Sequence, residues 1–518
     1  MSTTPIAETP TASARRLAIP AWLVPGLGDL LLIGLVFWLF CASPQSWDHF
    51  MGDANTGLHI RTGDYILDHW RVPTTDLYSF SRPGGRWFAF EWLSCVVYAA
   101  LHRVAGLAGV AMISAIVLLL WPVVQLRDCI RRGADPVISV MLIFAAVRAA
   151  GIHFLARPHL FSMLFTAVLV SFVACERERP TRRVWTLVPF AAVWANFHGG
   201  FLVLPAYTGL LAAGLFAERR FAQARRWLAV FAACCAATLV NPYGFELHRH
   251  IAHFLGSSWL AHMVQEYAPA TTFWGDGHTE VFFALLILGG FCALLMLRRR
   301  RFVEPLWIAF FGYMAVHSAR HITIFVIVAV PMFALELTRW FHLVVERMGR
   351  TSFAGVLATV TRDAGPSLAR VTPWGAIAAF ALLVPGAPSQ WPQSFPSQIV
   401  QRDADVLTGS RLFTTDHWGD YLIYRLWPRQ RVFVDGRSDF YGEQIGIEYL
   451  TMLETDPGWQ KLFDAWGFTA ALLPMQSHLA RTLIIDPRWR IADHAGDAVL
   501  LIRRSGYRPL PPASQPAR

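Results

Sequence analysis

Charged residues are scarce in this chain of 518 residues: only 15% are Asp, Glu, Lys or Arg, whereas 55% are hydrophobic. A soluble globular protein carries about 25% charged residues, so the composition excludes a soluble enzyme, a disordered chain and a fibrous protein. The sequence has a single lysine, Lys461. It has seven cysteines, and none of them lies after Cys292. A disulfide framework is therefore not expected.

Apolar runs make up most of the chain. They recur from Leu27 to Val384, and the mean hydropathy is +0.40. Runs of this length fit the hydrocarbon core of a bilayer, which needs roughly 20 apolar residues in a helix. The sequence thus predicts a polytopic α-helical membrane protein embedded in the lipid bilayer. We predict about eleven spans, at 28–44, 107–126, 136–152, 160–175, 184–197, 200–217, 227–240, 281–297, 304–318, 320–341 and 374–386.

The net charge of +10 belongs to the membrane half, because residues 391–518 contain 14 basic and 14 acidic residues. Basic loops of membrane proteins face the cytoplasm, so these arginines set orientation and do not indicate a nucleic acid partner. The N-terminal segment 1–24 is predicted to be cytoplasmic. The same rule favours a single crossing before Arg127, which makes 88–106 an interfacial or re-entrant helix. The arginine clusters lie at 127–132, 177–183, 219–226, 298–301 and 339–350.

The chain changes character near residue 391, where strand-like and helix-like segments begin to alternate. This alternation predicts a small C-terminal α/β extracytoplasmic domain at 391–505. An odd number of spans places it outside, and the multi-span domain then covers 25–390, with a first outer loop at 45–106. The tail 506–518 is predicted to be flexible. Predicted strands lie at 411–415, 431–435, 468–474 and 498–504, and predicted helices at 417–427, 441–455, 457–466 and 477–485.

The first outer loop carries the first candidate site residues. Asp53 follows the first membrane helix directly, and His59 comes six positions later. A carboxylate just outside the bilayer can act as a general base towards a hydroxyl or amine acceptor. The alternative is a solvated loop in which Asp and Gly residues only form turns.

Further ionisable residues and one asparagine lie inside or beside apolar runs on the same predicted side of the membrane. Such residues are functional candidates, and arginine binds phosphate oxygens through two parallel hydrogen bonds. An anionic lipid headgroup, such as a phosphate or pyrophosphate, would suit this set. Snorkelling to the surface or a tight hairpin is the alternative for individual members. The candidates are Arg148, Arg157, His159, Asn196, His198, Glu266, Arg320 and His321.

A third group of candidates follows a predicted strand or helix in the C-terminal domain. They lie in HWGDYLIYRL and RVFVDGRSDFYG, between residues 417 and 442. These side chains could contact a substrate, or they could form a turn and a surface ion pair. The residues are Trp418, Asp420, Tyr421, Asp435 and Arg437.

Several of these motifs resemble a group of bacterial membrane proteins assigned to the GT-C superfamily of membrane glycosyltransferases. They are GDANTGLHI (52–60), RPHLF (157–161), NFHGG (196–200), NPYG (241–244) and the stretch 417–442. That superfamily includes protein O-mannosyltransferases, aminoarabinose transferases of lipid A and the catalytic subunit of oligosaccharyltransferases. The resemblance implies a GT-C-like fold with Asp53 in the first outer loop and two juxtamembrane helices within 62–106. Residues 418–421 also resemble the Trp-Trp-Asp-Tyr-Gly region of oligosaccharyltransferases, with Gly419 inserted.

The resemblance also implies a reaction and a location. A sugar would pass from a polyprenyl-phosphate donor to a glycan, lipid or protein acceptor on the outer side of a bacterial inner membrane. Asp53 would be the general base of an inverting transfer, and Arg148, Arg157, His159, Arg320 and His321 would bind the donor phosphate. Ala54 follows Asp53 where many members carry a second carboxylate. No metal ligand set is predicted, which leaves a divalent cation, Mg²⁺ or Mn²⁺, open as a cofactor.

Two functions from other classes stay open at this point. A transporter or flippase of lipid-linked saccharides would use the same cations for the same phosphate without breaking a bond. Transporters usually show paired halves with matching broken helices, and this sequence shows none. A non-catalytic envelope-assembly protein would instead use the α/β domain to bind a partner.

Overall fold

The computed structural model describes residues 20–256, 259, 265–349 and 351–504. The predicted flexible tail 506–518 and most of the predicted cytoplasmic tail 1–24 lie outside these residues. The described residues of the membrane half are mostly helical. Its α-helices are Leu27–Val36, Ser46–Phe50, Asn55–His69, Trp92–Arg131, Pro136–Ala150, His159–Glu178, Leu187–Phe197, Val203–Ala217, Phe221–Ala237, Phe245–Leu255, Thr279–Arg298, Val303–His317, Ile322–Met348, Phe353–Leu368 and Pro373–Leu383.

Six helical stretches in the described part of the chain are long and apolar enough to cross a membrane. They are Trp92–Arg131, Pro136–His153, His159–Glu178, Gly199–Ala217, Thr279–Arg298 and Ala319–Met348. A seventh arises if Phe353–Leu368 and Pro373–Gly386, which meet at 75°, form one broken span. The chain is therefore a polytopic membrane protein, and the larger count of eleven stays a prediction. The spans predicted at 184–197, 227–240 and 304–318 correspond to helices of only 11, 17 and 15 residues.

The longest helix, Trp92–Arg131, is interrupted at Gly106, where φ is 61° and ψ is −155°. Glycine reaches a positive φ without a steric penalty, so the residue allows two helices to join at an angle. The break coincides with the end of the predicted interfacial segment 88–106. Helix Asn55–His69 packs closely on the part before the break, because a Cβ on Gly63 would lie only 1.9 Å from the carbonyl oxygen of Cys95. Helix Asn55–His69 of the first outer loop and the part of helix Trp92–Arg131 before Gly106 thus form one layer.

The C-terminal domain contains a four-stranded sheet of order β1-β2-β4-β3, with β1 Leu412–Thr414, β2 Ala470–Pro474, β3 Trp489–Ala495 and β4 Ala498–Arg503. Strand β1 pairs with β2 in parallel, and the other two pairs are antiparallel. The domain's helices cover the sheet. They are Ser397–Arg402, Ala404–Thr408, Asp416–Leu426, Ser438–Leu453, Trp459–Trp466 and His478–Ile485.

One predicted strand is absent from the sheet, and one strand of the sheet was not predicted. Residues 431–435 do not join the sheet; Val432 instead forms a single parallel bridge with Ser79 of the first outer loop. This run is apolar because it is buried between the two halves of the protein, which gives it the composition of a core strand. Strand β3 was not predicted, because its edge position leaves most of its side chains exposed or half-buried. Its mixed sequence WRIADHA therefore lacks the continuous apolar run that marked the other strands.

The C-terminal domain is tied to the first outer loop by backbone and ionic contacts. The Phe80 amide donates to the Val432 carbonyl at 2.9 Å, and the Val432 amide donates to the Tyr78 carbonyl at 3.0 Å. Arg437 reaches across with Nη2 2.7 Å from an oxygen of Asp76. These contacts make the loop and the domain the two walls of a single cavity.

Candidate active site

A cavity of about 950 Å³ lies between the first outer loop, the ends of several membrane helices and the C-terminal domain. A space of this size is within the range of small-molecule and cofactor sites. The chain segments that meet there are distant in sequence, so the fold has gathered the predicted clusters. The predicted site residues that line it are Asp53, His59, Arg157, His159, His198, Glu266, Arg320, His321, Asp420 and Arg437.

Arg157 is the central cation of this cavity. Its Nη1 lies 3.1 Å from Asp53 Oδ2, and the same atom forms an ion pair with Glu266. Burial by itself would lower the pKa of Arg157, but the carboxylates of Glu266 and Asp53 outweigh it and raise the pKa. The same contacts act on Glu266, whose pKa is lowered by Arg157 although burial opposes the shift. Both side chains are therefore charged at neutral pH.

Asp53 is held in place by its own backbone. Its Oδ1 accepts a hydrogen bond from the Asn55 amide at 2.8 Å, just where helix Asn55–His69 begins. An Asp that caps a turn in this way leaves its second oxygen free to point elsewhere. Here that oxygen faces Arg157. The neighbouring Thr56 hydroxyl donates to the Ala156 carbonyl at 2.7 Å, which fixes the two segments against each other.

Arg320, His159 and His321 lie beside this ion pair at the cavity wall. The guanidinium of Arg320 lies 4.5 Å from the centre of the Tyr267 ring and contacts its hydroxyl. Within the described part of the chain, Arg320 forms no ion pair with a carboxylate, so its charge is available to an anion. His159 Nε2 lies 2.7 Å from the His153 carbonyl oxygen, and His321 Nδ1 is buried without a hydrogen-bond partner among these residues.

Glu91 also lines the cavity, and the sequence interpretation missed it. One carboxylate oxygen lies 3.3 Å from His59 Nε2 and the other 3.4 Å from His198 Nε2. Burial raises the pKa of Glu91 to about 7, with Arg157 and Arg320 acting in the opposite direction. The signal was present, since Glu91 is a lone carboxylate between the apolar residues Phe90 and Trp92.

Asp420 reaches the cavity from the C-terminal domain and is only 1% exposed. Its Oδ2 accepts a hydrogen bond from the Gly436 amide at 3.2 Å, whereas Oδ1 has no hydrogen-bond partner among the described residues. Burial raises the pKa of Asp420 well above its usual value, and the nearby charges of Asp435 and Asp53 raise it further. The side chain therefore favours the protonated form, which can donate a hydrogen bond.

Arg437 borders the cavity, but it donates its hydrogen bonds to other side chains of the protein. Its Nη2 lies 2.7 Å from both Asp76 and Asp435, and the Tyr441 hydroxyl lies 2.6 Å from the second of these carboxylates. The guanidinium also packs over the Trp87 ring at 4.6 Å. The arrangement locks the domain onto the first outer loop.

Five predicted site residues do not line the cavity: Arg148, Asn196, Trp418, Tyr421 and Asp435. Arg148 donates to the Asp276 carbonyl at 3.1 Å. Asn196 accepts from the Trp92 indole at 2.6 Å and donates to the Val240 carbonyl. Trp418 and Tyr421 are buried in the packing of the C-terminal domain. The hydrogen bonds of Arg148 and Asn196 and the packing of Trp418 and Tyr421 thus connect parts of the protein to each other.

Among residues 20–256, 259, 265–349 and 351–504, no group of three or more His, Cys, Asp or Glu is arranged to hold a metal ion. The carboxylates of Asp53 and Glu266 are both paired with Arg157.

Comparison with known proteins gives similarity in structure and none in sequence. No family of known sequences matches this chain, and no curated protein does. The oligosaccharyltransferase of Archaeoglobus fulgidus tethered to an acceptor peptide superposes with a TM-score of 0.58 at 11% identity, covering 87% of this chain and 68% of that one. The same organism's oligosaccharyltransferase AglB with an inhibitory peptide and a dolichol-phosphate gives 0.51 at 12% identity, covering 87% and 69%.

A second kind of membrane protein matches over almost the full length of both chains. ArnT of Cupriavidus metallidurans bound to undecaprenyl phosphate superposes with a TM-score of 0.51 at 14% identity, covering 92% of this chain and 98% of that one. Identities this low show a shared fold. The predicted resemblance is thereby confirmed at the level of architecture: this chain shares the fold of the oligosaccharyltransferase and ArnT structures.

Proposed function

We propose that this protein is a glycosyltransferase that moves a sugar from a polyprenyl-phosphate-linked donor to an acceptor on the extracytoplasmic side of the membrane. The observation that carries the proposal is the pairing of Asp53 with Arg157 in the wall of a cavity of about 950 Å³. The match to structures that hold undecaprenyl phosphate or dolichol-phosphate supports a donor of this class.

In the proposed reaction the acceptor oxygen attacks the anomeric carbon of the sugar. A new bond forms between that oxygen and the carbon, and the bond between the carbon and the phosphate oxygen breaks, with its electron pair leaving on the phosphate. Asp53 takes the acceptor's proton as general base. Attack opposite the leaving phosphate inverts the configuration at the carbon.

Arg157 and Arg320 are the proposed phosphate ligands, with His159 and His321 beside them. Fixed cations stabilise the negative charge that develops on a leaving phosphate, and they do so best in a site that excludes water. Arg320 is the guanidinium with no carboxylate partner among the described residues. A phosphate at Arg157 has to displace Glu266 or share the cation with Asp53.

The proposed location is a bacterial inner membrane, with the cavity and the C-terminal domain on the periplasmic side. The arginine clusters between the apolar segments support this orientation, because basic loops stay in the cytoplasm. The proposed acceptor is a glycan, a lipid or a protein, and Asp420, which lines the cavity from the C-terminal domain, is its proposed contact.

The test is to weigh the lipids that copurify with the wild type and with Asp53→Asn. A stalled transferase retains its donor, so we expect a polyprenyl-phosphate sugar to be enriched on the variant. Asp48→Asn is the matched control, since Asp48 is an exposed carboxylate of the same loop. Equal amounts on all three proteins would point to a flippase. If no such lipid appears on any of them, the proposed donor is wrong.

A further inference from the structure

Glu91, His59 and His198 form a polar group in the cavity wall that the proposed chemistry does not use; we call it the Glu91 cluster. No arginine contacts the Glu91 carboxylate in the described residues, although the charges of Arg157 and Arg320 act on it through space. Three of the four residues before Glu91 are aromatic, and one of them, Phe90, lines the cavity with it. A carboxylate and imidazoles next to an aromatic ring suit a ligand with hydroxyl groups and an apolar face.

The hydrogen bonds around His198 determine where its proton lies. The Gly200 amide donates to His198 Nδ1 at 2.9 Å, so this nitrogen is an acceptor. Burial lowers the pKa of His198 well below its usual value, so the ring is neutral. A neutral imidazole with an accepting Nδ1 carries its proton on Nε2. That N–H faces Glu91.

His59 has a hydrogen-bonding group with no partner. Its Nδ1 lies 3.3 Å from the Cys95 sulfur, but Nε2 is buried and makes no hydrogen bond within the described part of the chain. The 3.3 Å approach to Glu91 thus lacks hydrogen-bond geometry. Buried polar atoms are nearly always hydrogen-bonded. This nitrogen is available to a ligand in the cavity.

The charges around the Glu91 cluster restrict which ligand it can hold. The positive charges of Arg157 and Arg320 lower the pKa of Glu91, and the negative charges of Glu266 and Asp439 raise it. The other titratable groups close to it are the imidazoles of His59 and His198, the Cys95 thiol and the Tyr98 phenol. A second negative charge placed at this point would face a carboxylate without a cation in contact.

We infer that the Glu91 cluster holds the sugar of the donor lipid, and that this sugar carries hydroxyl groups and no negative charge. The inference rests on the proposed transferase function. Hydroxyl groups donate to the Glu91 carboxylate and accept from the Nε2–H of His198. A hydroxyl can also donate to or accept from His59 Nε2, whichever its tautomer requires, and so satisfies this nitrogen. An acidic sugar would bring its own carboxylate against Glu91, and like charges at such distances disfavour binding.

The test compares three lipids on the purified full-length protein: undecaprenyl phosphate, its glucosyl derivative and its glucuronyl derivative. The two sugars differ only in a hydroxymethyl against a carboxylate. At pH 8, about one unit above the pKa of Glu91, we expect the wild type to bind the glucosyl lipid about tenfold more tightly than the glucuronyl lipid, the factor that about 1.4 kcal/mol of repulsion produces. In Glu91→Gln the preference should fall below about threefold, because the repelling charge is gone.

Two further measurements separate recognition from folding. Binding of plain undecaprenyl phosphate should be the same in the wild type, in Glu91→Gln and in the control Glu443→Gln, an exposed carboxylate of the C-terminal domain. His59→Asn should weaken the glucosyl lipid alone, which tests the cluster with a second variant.

Three outcomes would overturn the inference. The wild type could bind both sugar lipids equally, or Glu91→Gln could keep the wild-type preference. The variant could also weaken plain undecaprenyl phosphate as much as the glucosyl lipid, which would give Glu91 a structural role. Failure of the proposed donor class looks different: the folded wild type would then bind none of the three lipids. A flippase in place of a transferase is told apart by the copurification test with Asp53→Asn.

Discussion

Glu266 pairs with Arg157 through Nη1, the guanidinium nitrogen that also lies 3.1 Å from Asp53 Oδ2. One cation is thus shared between two carboxylates, and the group of three carries a net negative charge. An anionic headgroup has to compete for that cation. Asp53 is held by the backbone of its own turn, so Glu266 is the carboxylate that an incoming phosphate would replace.

The first prediction concerns this competition. Glu266→Gln should bind undecaprenyl phosphate about tenfold more tightly than the wild type, because a competing charge is removed from Arg157. Arg157→Gln should bind it about 10- to 100-fold more weakly, the range expected for loss of a hydrogen bond to a charged group. Equilibrium binding to the purified proteins measures both, and Glu443→Gln should equal the wild type. Weaker binding by Glu266→Gln would show that Glu266 is a ligand and not a competitor.

The second prediction concerns the lock between the two halves of the protein. Arg437 is 5% exposed at its side chain, and its partners Asp76 and Asp435 are fully buried. Arg437→Met leaves two buried carboxylates without their cation, which should cost about 3–5 kcal/mol of stability. Thermal unfolding in detergent should show a large loss for this variant and none for Arg425→Met, at an exposed arginine of the same domain. Equal midpoints would mean that the network does not hold the halves together.

The third prediction concerns the pH dependence that Glu91 gives to stability. Burial raises its pKa from the ordinary 4.5 to about 7, so the unfolded chain loses this proton at a lower pH than the folded protein. Stability therefore falls as pH rises from 4.5 to 7 and then levels off. Glu91→Gln removes the effect and should be more stable than the wild type at pH 8, by about 3 kcal/mol at most.

The measurement for Glu91 is the difference in unfolding midpoint between variant and wild type at two pH values. At pH 3.5 or below the difference should be small, because the carboxyl is then largely protonated in both states of the wild type. At pH 8 the variant should unfold at a higher temperature. A constant difference across this range would contradict the raised pKa.

The fourth prediction concerns the close approach of Gly419 to Val434. A Cβ at Gly419 would lie 2.2 Å from the Val434 carbonyl oxygen, a backbone atom that cannot move alone. Gly419→Ala should destabilise the protein by about 1–3 kcal/mol through overpacking. Gly409→Ala is the matched control, since its Cβ would meet the nearest atom at an ordinary 3.6 Å. Similar unfolding midpoints for the two variants would show that the backbone at Val434 yields.

Much of the fold was predictable because the physical signals are strong and local. Apolar runs reveal membrane helices wherever they lie, and the strands at 411–415, 468–474 and 498–504 were confirmed as β1, β2 and β4. The run 431–435 could not be assigned correctly, since its apolar residues are buried by the first outer loop and not by a sheet. Such a partner, about 350 positions away, leaves no mark on the local pattern.

The candidate site was predictable in its residue types and only partly in its geometry. Asp53, Arg157 and Arg320 stood out as ionisable groups next to apolar runs, and the structure brings them to one cavity. Glu91 is also an ionisable group between apolar residues, but it was not among the predicted site residues. The sequence also gave no means of knowing that Asn196 is used up by Trp92 and Val240, because hydrogen-bond partners are set by packing.

The pairing of Val432 with Tyr78 and Ser79 has a consequence for how the molecule is made. Polypeptides emerge from the ribosome N-terminus first and fold as their segments become available. The first outer loop is therefore synthesised before its partners, which lie some 350 residues downstream. One of them is Phe433, whose carbonyl accepts a hydrogen bond from the Ser81 hydroxyl. The helices that bear Arg157 and Arg320 are synthesised before those partners. A nascent chain that stops short of Val432 is therefore an open precursor, and translation separates insertion into the bilayer from completion of the cavity.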